Sequence, residues 1–217
     1  MGTRLAIDIA NKIKNCSGLI LVDGSKFSDC NSYFKTLEAF ENSIDQETYL
    51  SVLENMFSSM FFSKIFDIHK VRVVKRAINI PENFSLPLRR NAIWYDSHCV
   101  EKNLSNLGLP VLILHSTKLD TKTGRSPIRK NEVISYIDFI KKYSPKVRIE
   151  IFEKTGHYIT IEKPEAVNKI MSKWIDKLIF FLSRLLLVLY KFEILPRISH
   201  GGIKLLGHSQ AALGQLI

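Results

Sequence analysis

Gly156-His157 stands between an alternating apolar segment, KVRIEIF (146–152), and an amphipathic stretch that begins near Pro164. A histidine on a loop leaving the carboxyl end of a strand and entering a helix occupies the place where open α/β sheets put their chemistry. Other reactive side chains point less far. Cys16, Cys30 and Cys99 have neither CxxC spacing nor a histidine at finger spacing. That argues against a zinc site and a disulfide framework, and fits a reducing, cytoplasmic compartment. Lys70, Arg72, Lys75 and Arg76 lie among the valines of HKVRVVKRAINI (69–80). They could form a phosphate-binding strip, but a solvated helix face needs no ligand and is the reading preferred here.

The elements that must position His157 follow from apolar spacing. The chain has 217 residues, 46 % hydrophobic and 24 % charged. This is a globular composition. Its net charge of +10 comes from basic residues spread along the whole chain, so no nucleic-acid partner is expected. The N-terminus has one early Arg and no long apolar core, so no secretory leader is expected. Leu5, Ala6, Ile9, Ala10 and Ile13 predict a helix over about 3–14. GLILVDGS (18–25) and LPVLILHS (109–116) are short apolar runs that predict strands buried on both faces of a parallel sheet.

Between those strands the pattern is helical. Leu37, Phe40 and Ile44 mark one apolar face, and Leu50, Leu53, Met56, Phe57 and Met60 another. Their aromatic and Met content suits an adaptable surface that packs on the core or lines a pocket. Pro81 and Pro87 are expected to bound a loop before a further helical stretch to about Leu107. A helix within 126–145 should turn Val133, Ile137 and Ile140 inward. The strand at 146–152 should place Val147, Ile149 and Ile151 on one face. A last helix from about Pro164 should use Val167, Ile170, Met171, Trp174 and Ile175. The apolar segment 178–195 is interrupted by Arg184 and Lys191, too short and too charged for a spanning helix. It is expected to extend the last core helix, or to lie on a membrane or a partner.

Taken in order, these phrases resemble an α/β hydrolase that carries a helical cap. ANKIKNCSGLILVDGS is similar to the helix–strand step before the cap, LPVLILHSTKLD to the strand after it, and the Gly-His loop followed by Glu-x-Pro to the C-terminal end. The resemblance covers residues 1 to about 177. It implies an α/β fold: a partial hydrolase sheet of about three parallel strands, flanking helices and a cap insertion. The implied organisation is core at 1–25, cap at 26–107, core again at 108–177, and an apolar helix and tail at 178–217.

The resemblance also implies roles. His157 matches the base that takes a proton from a serine and passes it to the leaving group. Its carboxylate is expected at Asp120, in the loop after the strand at 110–114. The alternative is Asp23, at the end of the strand before the cap. Asp96, in WYDSHCV, is a lesser candidate with a structural role. MGTRLAIDIA resembles the helix that follows the nucleophile elbow, with Met1 one residue past the serine and Gly2 as the final glycine. On that reading the chain is truncated and impaired. GHSQA (207–211) approaches an elbow around Ser209, and SHGG (199–202) an oxyanion loop. The two lie too close together to occupy separate strand ends, at about 3.3 Å per residue. The implied activity is hydrolysis of an ester or small apolar acyl compound through a Ser-His-Asp triad, with no metal or organic cofactor. The alternative is a non-catalytic remnant held by a partner or a membrane through 178–195.

Overall fold

The computed structural model describes residues 1–46, 48–120, 124–144 and 146–191. The chain divides into two compact units, Met1–Ile175 and Asp176–Ile217. In the first unit, helix α1 (Gly2–Ala10) leads into strand β1 (Leu19–Val22). A long helical insertion follows before strand β2 (Val111–His115). Strands β3 (Thr117–Asp120) and β4 (Gly124–Pro127) form an antiparallel pair. Helix α7 (Ser135–Tyr143) then leads to strand β5 (Val147–Ile151).

The insertion contains α2 (Tyr33–Gln46), α3 (Tyr49–Ser58), α4 (Asp67–Ile78), α5 (Glu82–His98) and α6 (Val100–Ser105). Short α8 (Ile159–Glu162) and long α9 (Pro164–Lys191) complete the helices described.

β1, β2 and β5 make one parallel sheet with β2 in the centre. Parallel strands covered on both faces need unbroken apolar sequence, and every residue of β2 is buried. Leu19, Leu21, Val111 and Ile113 face a core built with Ile7 and Ala10 of α1, Val100 and Leu104 of α6, and Ile137 and Ile140 of α7. Each such aliphatic side chain contributes about 1.5–3 kcal/mol on burial. Leu112 and Leu114, pointing the other way, are buried as completely. The three parallel strands therefore form where the two apolar runs and the alternating segment predict them.

Several expectations need correction. The segment 81–87 is not a loop: Pro81 stands at the N-cap of α5 and Pro87 lies inside that helix. Pro81 precedes the first helical residue, where no backbone N–H is required. Pro87, at the sixth helical position, forgoes one i→i−4 bond, to the Asn83 carbonyl, in a helix of 17 residues. STKLD does not remain a loop either, since Thr117–Asp120 pairs with β4. Val133 is 81 % exposed, because α7 begins only at Ser135. On α1 the buried face is Arg4, Ile7 and Ala10, whereas Leu5 and Ile9 are exposed, as is Ile13 beyond the end of the helix. Helical spacing marks both stripes, and only packing chooses between them. Leu50 and Ile151 are likewise exposed.

In the second unit, the residues of α9 from Asp176 expose Ile179, Phe180 and Phe181. Among the described residues no helix is long and apolar enough to cross a membrane. GHSQA, including Ser209, and SHGG lie outside the described residues.

Candidate active site

The polar residues converge at the carboxyl ends of the three parallel strands. Asp23 follows β1, its N–H donating to the Leu114 carbonyl at 2.7 Å and so extending the ladder by one residue. Its φ of 42° lies in the left-handed region, which Asp tolerates better than most residues. That turn sends the carboxylate across the end of β2. Oδ1 accepts the Ser116 and Thr117 backbone N–H groups, each at 2.8 Å. Oδ2 accepts the Thr117 hydroxyl at 2.5 Å and His157 Nδ1 at 2.7 Å. Arg125 of β4 approaches the same Oδ2 at 3.3 Å and bonds Thr117 Oγ1 at 2.5 Å.

Burial by itself would raise the Asp23 pKa. The His157 hydrogen bond and the positive charge on His115, His157 and Arg125 outweigh it and bring the pKa down to about 2. Asp23 is therefore a carboxylate at any pH near neutrality.

His157 lies on the loop between β5 and α8. Burial lowers its pKa, opposed by the Asp23 hydrogen bond and reinforced by Arg125. The ring is thus neutral at pH 7, with Nδ1–H donating to Asp23 and Nε2 left as the basic nitrogen. A quarter of the side chain is exposed, against none of Asp23. Among the described residues no serine hydroxyl bonds Nε2.

The sequence-based candidates separate at this point. His157 and Asp23 are brought together through His157 Nδ1; Asp120, the preferred carboxylate, is described by its backbone alone. The Asp120 backbone ends β3 opposite Gly124, and its side chain lies outside the described residues. Backbone donors at 116 and 117 hold Asp23 in reach of the imidazole. Asp96 is fully buried and engaged elsewhere. It accepts Arg4 Nε at 2.8 Å, Arg4 Nη2 at 2.5 Å and the Phe27 N–H at 2.7 Å. It thereby ties α1 and α5 to the loop after Asp23.

Three neighbours escaped the sequence reading. Thr117 and Arg125 brace Asp23, and only the Ser-Thr pair after a buried strand hints at the first. His115, 1 % exposed, places Nδ1 3.2 Å from Asp23 Oδ1, yet neither ring nitrogen has a hydrogen-bond partner. Burial lowers its pKa to about 4 despite the attraction of Asp23. Among the described residues no group of His, Cys, Asp and Glu is arranged to hold a metal ion.

Parallel strands in this order, with a helical insertion after the first and a histidine after the last, define the architecture of α/β hydrolases, and this chain has that fold. Among solved structures it is similar to a thermophilic esterase, with a TM-score of 0.51 and 17 % identity over 81 % of this chain. It is also similar to an esterase (EaEST) from Exiguobacterium antarcticum, with a TM-score of 0.57 and 15 % identity over 78 % of this chain. The enol-lactonase from Burkholderia xenovorans LB400 aligns with a TM-score of 0.52 and 10 % identity over 81 % of this chain. In each case this chain spans 63 % of the length of the other. By sequence, the chain matches no protein-family model and no curated protein.

Proposed function

We propose that this chain serves a hydrolase of esters or similar small apolar acyl compounds that works through a Ser-His-Asp triad. His157 is the general base and Asp23 its carboxylate. The observation that carries this reading is the 2.7 Å bond from His157 Nδ1 to Asp23 at the carboxyl ends of parallel strands. Nε2 takes the proton of an attacking serine and returns it to the leaving group, while Asp23 holds the tautomer and stabilises the imidazolium. Helices α2–α5 act as the cap over the acyl group. No serine among the described residues bonds Nε2, so the isolated chain is expected to be a weak catalyst.

Hydrolysis of p-nitrophenyl butyrate tests the reading. Slow turnover above buffer should fall by about 10²-fold or more in His157→Ala, the usual contribution of a general base. Turnover that persists in that variant, or none in the unmodified chain, would sink it.

A second reading rests on a different observation, the exposed Phe180 and Phe181 in a strongly apolar segment of a basic chain. On it, 178–195 lies on a membrane surface. Co-sedimentation with phosphatidylserine vesicles, abolished by deleting 178–217, is the expected result. Equal recovery in the supernatant with and without vesicles would exclude it.

A further inference from the structure

The segment that follows α3 reaches the histidine loop. The Met60 carbonyl accepts the His157 backbone N–H at 2.9 Å. Next to it the Phe61 ring stacks on Tyr158, with centroids 4.9 Å apart and planes within 15°. Tyr158 in turn meets the His157 ring edge-on at 5.2 Å. Met60 and Phe61 are both buried. The approach is close because residue 156 is glycine: a Cβ there would stand 2.5 Å from the same Met60 oxygen. From the opposite side the core ties the loop through Ser116 Oγ, which donates to the Gly156 carbonyl at 2.7 Å. The Gly156 N–H donates to Glu162 at 3.0 Å.

The histidine backbone is therefore held between the sheet and the inserted helices. Neither Met60 nor Phe61 touches a ring nitrogen, so neither has a proton to move. What they fix is the peptide from which the imidazole projects.

We infer that Met60 and Phe61 are positioning residues for His157. The inserted helical segment holds the loop that sets the imidazole on Asp23. The catalytic consequence rests on the hydrolase reading, whereas the coupling belongs to the resting protein and can be measured without turnover.

Backbone amide hydrogen–deuterium exchange and an NMR titration of the His157 ring, on the full chain, test it. In Phe61→Ala the His157 amide should exchange about tenfold faster, or about 1.4 kcal/mol of lost local protection. The ring titration should move with it, while the amides of Val111–His115 stay as protected as before. Phe61→Tyr, which keeps the stack, should restore both signals. Tyr158→Leu removes the same stack from the loop side and should reproduce the loss, which covers the case in which Phe61→Ala does not fold. An unchanged His157 amide and an unchanged titration would overturn the inference. So would uniform acceleration across β2, because that reports general destabilisation. A lack of ester hydrolysis in the unmodified chain would count against the hydrolase reading and leave this exchange result standing.

Discussion

Asp23 and His157 share a 2.7 Å hydrogen bond across 134 positions of the chain, the carboxylate fully enclosed and the imidazole partly open. The asymmetry sets their duties. Asp23 can only accept, because its ionised carboxylate carries no proton, and its oxygens take the donors of Ser116, Thr117 and His157. On the proposed reading, the other nitrogen of His157 is the one that exchanges a proton with a reactant.

Replacing that carboxylate should weaken the base. The Asp23 bond raises the His157 pKa against the effect of burial, so Asp23→Asn should lower it further. Proton or nitrogen chemical shifts of the ring, followed against pH, check this. A titration that rises or stays in place would contradict the pairing.

Acid should destabilise the fold in two stages. His115 titrates near 4 when folded and near its ordinary 6.5 when unfolded, so the unfolded chain takes up the proton first. Stability is complete above about pH 6.5 and falls by on the order of 3 kcal/mol as the pH drops toward 4. Asp23 adds a second stage. Its folded pKa of about 2 lies below the ordinary 3.8, so its contribution is present above that value and lost as pH falls toward 2. That contribution is on the order of 2 kcal/mol. Urea midpoints at pH 7.5, 4 and 2 measure both. His115→Leu should flatten the first stage, since it removes a buried imidazole with no hydrogen-bond partner.

Arg4 and Asp96 form a buried ion pair that joins α1 to α5. Asp96→Ala leaves the Arg4 guanidinium without its carboxylate and frees the Phe27 N–H, and should cost about 3–5 kcal/mol. Arg4→Met combined with Asp96→Leu should recover most of that loss, because neither charge then remains buried. Chemical denaturation of the three variants gives the comparison.

Gly156→Ala should cost about 1–3 kcal/mol, the usual range for forcing extra volume into a packed site. The Met60 carbonyl lies 2.5 Å from the new Cβ and is backbone, so it cannot swing away as a side chain could. Gly108→Ala is the control, since nothing lies within 4 Å of its Cβ. Equal stability of the two variants would show that the loop has more freedom than the contact implies.

The three parallel strands and the place of His157 after the last of them were legible in the amino-acid order. A strand covered on both faces has no polar position to spare, so LILV and VLILH announce themselves without reference to anything else. The helix faces were only half legible. α1 carries two apolar stripes, and the choice of Ile7 over Leu5 and Ile9 depends on what packs against it.

The carboxylate was a tertiary decision. Asp120 and Asp23 both follow apolar strands, and no periodicity distinguishes them. What brings Asp23 to His157 is a left-handed turn at one residue and two backbone N–H groups more than ninety positions away. Arg125 and the Met60 carbonyl reach the site across comparable gaps in sequence. Apolar burial is a local property, repeated along each element and visible in its composition. Hydrogen bonds between distant polar groups depend on coordinates, and those exist only once the sheet and the inserted helices have closed around them.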